Sequence, residues 1–182
     1  VSVANIDGEI VPLIRSGYRA ITSNYLQHHL FAVWVHEHQE RFTALNPGER
    51  ICGEWLAQAH GTRYDLSDGF DPFVPFDLFI GSIRQPYFAL MQYCNHNNLW
   101  YAPVIYIGFG IGHAVEDALY KLGETGSYGA LELAEGCVWR WERTDPKFPI
   151  MMAKFVRPEK EPGKYLEGTT GKEAIWNWRP GA

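Results

Sequence analysis

Cysteine is scarce in this sequence: Cys52, Cys94 and Cys137 are odd in number and contain no C-x-x-C pair. That excludes a disulfide framework and a structural zinc site built on paired cysteines, and it fits a reducing, cytoplasmic setting. No apolar run approaches the ~20 residues that span a bilayer. The first residues also lack the basic-then-apolar order of a signal peptide, so a soluble protein with no membrane partner is expected. Basic charge is short as well, 16 Lys and Arg against 21 Asp and Glu, for a formal charge of −5. Phosphate contacts draw their affinity from Lys and Arg, so an indiscriminate polyanion binder is excluded and any nucleic-acid contact must be local, along one face. Internal repeats and low-complexity segments are absent too.

What is present is apolar material: 182 residues, 46% hydrophobic and 15% aromatic, are enough for one substantial core. A single unit over residues 1–182 is expected. Val1 to Asn5 and Ile10 to Arg15 are β-type runs joined by Asp7-Gly8, the dipeptide that most readily turns a tight hairpin. Apolar residues recur at helical spacing from Tyr25 to about Ala44, with Asn24 as the cap and Asn46-Pro47-Gly48 as the stop. Arg50–Ala57 reads as a buried strand and Phe73–Ile80 as an aromatic-rich one, followed by a helix from Pro86 to about Asn95. Then come a strand over Val104–Ile107, a helix over Ala114–Leu122 stopped by Gly123, and strands over Glu135–Trp141 and Ile150–Val156. Periodicity vanishes beyond Arg157, so 158–182 reads as an irregular surface tail. Helices and strands interleave without a βαβ repeat, which predicts an α+β fold, mostly antiparallel, with flanking helices.

Three lone charges interrupt apolar, strand-like runs: Glu54 in Gly53-Glu54-Trp55, Glu135 at the head of Glu135-Gly136-Cys137-Val138-Trp139, and Lys154 in Met152-Ala153-Lys154-Phe155. An ion among hydrophobic neighbours costs several kcal/mol unless a partner or ligand compensates it, so the three are expected to share one site. Two carboxylates and an amine suit a divalent metal beside a nucleotide phosphate, which points to nucleotidyl transfer. The plain alternatives are edge-strand carboxylates facing solvent and a lysine snorkelling to the surface. Arg15-Ser16-Gly17 closes the first hairpin, where Arg15 can fork onto a phosphate. Phe76, beside Asp77, is a ring that can stack on a purine or simply belong to the core.

Two patterns are set aside. Gly108-Phe109-Gly110-Ile111-Gly112 has the spacing G-x-G-x-G, where a dinucleotide loop needs G-x-G-x-x-G. In His36-Glu37-His38 the two imidazoles point to different faces of a helix, and these residues, with His28 and His29, read as solvated histidines.

Taken in order, Arg15-Ser16-Gly17, Gly53-Glu54-Trp55, Pro75-Phe76-Asp77, Glu135-Gly136-Cys137-Val138 and Ala153-Lys154-Phe155 resemble the motifs of covalent nucleotidyltransferases, specifically ATP-dependent RNA ligases. Gly53-Glu54 followed by His60 and Tyr64 is similar to a pattern of that family. The resemblance implies an adenylation domain that uses ATP and Mg2+ and acts on RNA ends, a 5′-phosphate and a 3′-hydroxyl, in RNA repair. It implies that Arg15 contacts ribose or phosphate, Glu54 the ribose hydroxyls and Phe76 the adenine. Glu135 would act beside the catalytic magnesium, and Lys154 would hold the α-phosphate.

The family's nucleophile lies in a Lys-x-Asp-Gly motif, and the nearest match here is Asn5-Ile6-Asp7-Gly8, whose amide cannot form a phosphoramidate. A full hairpin separates the lysine and arginine motifs in the family, about a dozen residues, whereas Asp7-Gly8 already reads as that hairpin's turn. The expectation is therefore that the lysine motif lies upstream of Val1. Two other readings stay open: a catalytically silent relative that binds nucleotide or RNA ends, with Asn5 a true replacement, and an α+β domain whose carboxylates form only structural ion pairs.

Overall fold

The computed structural model describes residues 1–108, 114–122, 126–143 and 148–181. Gly123 and all but the first residue of the Gly108–Gly112 pattern lie outside the described residues. The chain is α+β and forms two compact units, Val1–Gln58 with Asp71–Ala102 and Trp178–Ala182, and Ala59–Phe70 with Pro103–Asn177.

The first unit is built on β1 (Ser2–Ile6), β2 (Glu9–Leu13), β3 (Glu49–Trp55), β4 (Phe73–Ile80) and β5 (Ile83–Arg84), antiparallel in the order β2-β1-β3-β4-β5. The predicted hairpin turn is there: Asp7 and Gly8 have φ of 52° and 93°, the paired positive values of a type I′ turn. Arg15-Ser16-Gly17 does not close that hairpin. It forms a second turn after β2, in which Gly17 donates to the Ile14 carbonyl and takes a φ of 87°. Helices α1 (Leu26–Glu37) and α2 (Tyr87–His96) contribute Phe31, Trp34, Val35, Leu90 and Cys94 to the core. α1 is shorter than its periodicity suggested and passes into a 3-10 turn at Gln39–Phe42. Its cap is Tyr25 rather than Asn24, with no side-chain capping bond.

Aromatic rings dominate this core. Phe73, fully buried, has ring centroids 5.4 Å from Phe31, 5.9 Å from Trp34 and 6.2 Å from Phe42. Such pairs add about 0.5–1.5 kcal/mol each beyond the area they bury. β3 is not buried on both faces, as its apolar run suggested. Ile51, Gly53 and Trp55 are buried, while Arg50, Cys52 and Glu54 alternate with them on a face that keeps contact with solvent. β5 was not foreseen in the sequence, being two residues long and defined only by its pairing with β4.

The second unit holds α3 (Val115–Leu122), the hairpin of β6 (Gly136–Trp141) with β7 (Met151–Val156), and the single-turn α4 (Glu167–Thr170). Val104–Ile107 is not a strand: no strand among the described residues pairs with it, and its side chains are exposed. β-branched residues there met the local preference for a strand but found no neighbour to complete a ladder. The segment after Arg157 is bonded to residues 59–65: Tyr165 donates its amide to the His60 carbonyl, Ala59 donates to Ile175, and Tyr64 donates to the Asn177 side chain.

Glu132 anchors this arrangement, accepting from the Tyr165 hydroxyl and lying 3.4 Å from Lys160 and 3.5 Å from Lys164. Burial works to raise its carboxyl, but Tyr165 and the two ammonium groups outweigh burial and hold it below its ordinary value. A depressed carboxylate contributes stability above its unfolded value, and that contribution disappears as pH falls through the folded one. Glu132→Gln is therefore expected to lower the melting temperature by a few degrees at pH 7, about 1 kcal/mol after solvent screening. In melts at successively lower pH the difference should shrink as Glu132 takes up its proton below its ordinary range; a gap independent of pH would contradict the assignment.

Candidate active site

Glu135 stands immediately before β6 and Lys154 in the middle of β7, and their side chains meet, Nζ to Oε1 3.3 Å. Two backbone features bring this about. Gly136 pairs with Val156 where the strands run so close that an added Cβ would strike the Phe155 carbonyl, so the Glu-Gly order is a packing requirement. Arg157 then grips the segment from the other strand, its amide donating to the Glu135 carbonyl at 2.9 Å and its Nε to the Ala134 carbonyl at 3.0 Å. Sequence reading missed Arg157 as a positioning residue; its place directly after β7 was the available signal.

Neither ion is buried. Side-chain exposure is 51% for Glu135 and 61% for Lys154, and Glu54 is exposed as well. The expectation of charges held at a desolvation cost is corrected. The apolar residues around Glu54 alternate across a half-covered sheet, and those around Lys154 belong to a two-stranded hairpin with exposed side chains on both faces. Across the ladder from Lys154 sits Val138, 53% exposed, so an ammonium and a small apolar surface share one face.

In the first unit, Glu54 is the last residue but one of β3 and Arg15 occupies the turn after β2. Beside Glu54, the Val1 nitrogen donates to the Gly53 carbonyl at 3.0 Å. Phe76 lies on β4 where Cys52 pairs with Asp77 but Gly53 pairs with Pro75, which leaves Phe76 as the extra residue of a β-bulge. Bulges re-aim side chains. Phe76 is 38% exposed although Pro75 and Asp77 on either side are buried. Gly53 makes room opposite, because a Cβ there would run into the Phe73 ring.

Asn5 is committed to structure, its Nδ2 donating to the Leu45 carbonyl at 2.7 Å and its Oδ1 accepting from the Gly8 amide at 2.8 Å. The thiols are free, and burial raises all three, Cys94 to about 12, which leaves little thiolate for covalent chemistry. His36 is exposed as expected, but three histidines are less solvated: His28 bonds Ser23 Oγ at 2.6 Å, His29 bonds the Ser23 carbonyl, and His38 bonds the Trp34 carbonyl and stacks on its ring.

Among the described residues no three metal-binding side chains cluster and no helix is long and apolar enough to cross a membrane. A protein-built metal cage is therefore not what the described residues offer. Mg2+ needs no such cage, since it keeps several waters and takes one or two carboxylates plus substrate phosphates, and the exposed Glu135 fits that partial role.

No curated protein and no solved structure matches the chain. The RNA ligase family model matches residues 1–156, a span that contains β1 to β7 and therefore both the Gly53-Glu54 bulge partner and the Glu135–Lys154 hairpin. With that match running through well over half its length, the chain belongs to the RNA ligase family.

Proposed function

We propose that this chain is the adenylation domain of an ATP-dependent RNA ligase, a nucleotidyltransferase that passes AMP to a lysine and then to a 5′-phosphate RNA end. A 3′-hydroxyl then displaces AMP and seals the strands. The observation that carries this reading is the exposed Glu135–Lys154 pair, Glu135 just before β6 and Lys154 on the facing strand β7. An ammonium there can neutralise an α-phosphate as charge develops, and the carboxylate beside it can help hold Mg2+, which would supply further charge neutralisation when bound. In the first unit, Arg15 is assigned to ribose or phosphate, Glu54 to the ribose hydroxyls and Phe76 to the adenine face. The bulge that turns Phe76 outward supports that last role. Val138 adds an apolar surface beside Lys154.

Asn5, an amide bonded to the Leu45 carbonyl and the Gly8 amide, cannot serve as the nucleophile, so the reading is tested on a chain extended upstream as well as on the 182 residues. The 182-residue chain incubated with labelled ATP and Mg2+ should give no covalent AMP adduct, and a version extended upstream through a Lys-x-Asp-Gly motif should give one. An adduct on the short chain would refute the assignment of the nucleophile; none on an extended chain that melts at a higher temperature with ATP would favour a silent nucleotide-binding relative.

Phe76→Ala is expected to weaken ATP binding about 5- to 150-fold, since base stacking is worth ~1–3 kcal/mol. Phe76→Trp should retain it. Equal affinities for all three proteins in a calorimetric titration would take Phe76 out of the site.

A further inference from the structure

On the face of the first unit's sheet that carries Glu54, three residues stand in register across neighbouring strands: Arg50 on β3, Phe79 on β4 and Arg84 on β5. The Arg50 guanidinium carbon lies 4.9 Å from the Phe79 ring centroid and that of Arg84 5.1 Å. Asp77, two residues along β4 and 2% exposed, takes Arg84, with Nε 3.0 Å from Oδ2. Arg50 is different. Among the described residues no carboxylate lies within ion-pair distance of it, whereas Arg84 has Asp77; the Nε atoms of both arginines are buried without a hydrogen bond.

A buried donor left unmade is costly, and a guanidinium stacked on a ring keeps its in-plane N–H groups free for an oxyanion. Two arginines against one carboxylate also leave this spot cationic in a chain of net charge −5. Such a local patch is the one arrangement by which an acidic protein can contact a polyanion.

We infer that Arg50, held by Phe79 and flanked by Arg84, binds a backbone phosphate of the RNA substrate. This rests on the RNA-ligase reading of the chain. Arg50 precedes Glu54 by four residues on β3, roughly 13 Å along the strand. That is farther than a ribose lies from its own α-phosphate, and a parallel ATP titration separates an RNA phosphate from the more distal β- and γ-phosphates of ATP.

The test is fluorescence anisotropy of a labelled 5′-phosphorylated single-stranded RNA titrated with the whole chain at several salt concentrations, alongside a calorimetric ATP titration. Arg50→Gln should weaken RNA binding several-fold and flatten the slope of log K against log salt by about 0.7, one phosphate contact on a single strand. Arg50→Lys, which keeps the charge but not the planar stack, should keep the slope and lose part of the affinity. Thermal melts of both variants accompany the titrations: a lost phosphate contact flattens the salt slope in the glutamine variant alone, whereas a fold defect lowers the melting temperature. Parent-like affinity and slope in Arg50→Gln, no RNA binding by the parent chain, or a loss confined to ATP would each overturn the inference. The adenylate-adduct assay does not depend on Arg50 binding RNA, so an adduct formed by the extended chain would uphold the ligase reading even if this inference fell.

Discussion

Replacing Lys154 with alanine is expected to slow adenylate formation about 10²- to 10³-fold, the usual cost of losing one preorganised charge donor at a developing oxyanion. The comparison uses the extended chain with its nucleophile, in single turnovers with labelled ATP. What makes the result diagnostic is the exposure of the pair. Glu135 and Lys154 are more than half exposed, and such surface ion pairs contribute about 0–1 kcal/mol to stability. Melting should therefore fall by no more than about 4 °C while the rate collapses. Lys154→Arg should recover part of the rate through its charge, though not all, because a planar fork replaces a compact ammonium. Glu135→Ala is expected to abolish the adduct. Undiminished adduct in either alanine variant would remove that residue from the chemistry and leave the pair as surface decoration.

Gly53→Ala should show the opposite profile, a loss of stability first and of activity only as a consequence. An added Cβ would stand 2.8 Å from the Val74 carbonyl oxygen and press into the Phe73 ring. That ring cannot swing away, because Phe31, Trp34 and Phe42 surround it in a fully buried cluster. Overpacking of this kind costs about 1–3 kcal/mol, and Gly53→Val should cost more. For a chain of this size, about 2–4 °C of melting temperature is lost per kcal/mol. Glu54→Gln next door should melt like the parent, since Glu54 is exposed and holds no packing in place. A Gly53→Ala protein with parent stability would mean that Phe73 or β4 shifts freely, and the bulge at Phe76 would lose its structural cause.

Much of the frame was legible in the chain. Asp7-Gly8 announced a hairpin because both residues tolerate positive φ at little cost, and the turn forms with those dihedrals. Phe73–Ile80 occupies the span its aromatic and β-branched content suggested, and β6 and β7 fall within a residue of their expected starts. Val104–Ile107 had equal local promise and is no strand, because a strand exists only where another backbone completes its hydrogen bonds. β5 is the converse: two residues with no pattern of their own, made a strand by β4.

The candidate site divides along the same line. Residue type alone marked Glu54, Phe76, Glu135 and Lys154, since an isolated charge or ring in an apolar run is conspicuous wherever the chain goes. Their exposure was misjudged because an apolar run says nothing of how many faces of a sheet are covered.

By itself the sequence determined the class of fold, the Asp7-Gly8 turn, and membership of the RNA ligase family, whose model matches residues 1–156. These are local matters, settled by dihedral preference and by side-chain chemistry within a few residues. Only tertiary structure decided that Phe76 bulges outward, that Arg157 reaches back to hold Glu135 beside Lys154, and that Arg50 and Arg84 meet on Phe79. Each of those depends on strand register between distant segments, where a shift of one residue turns every side chain to the other face.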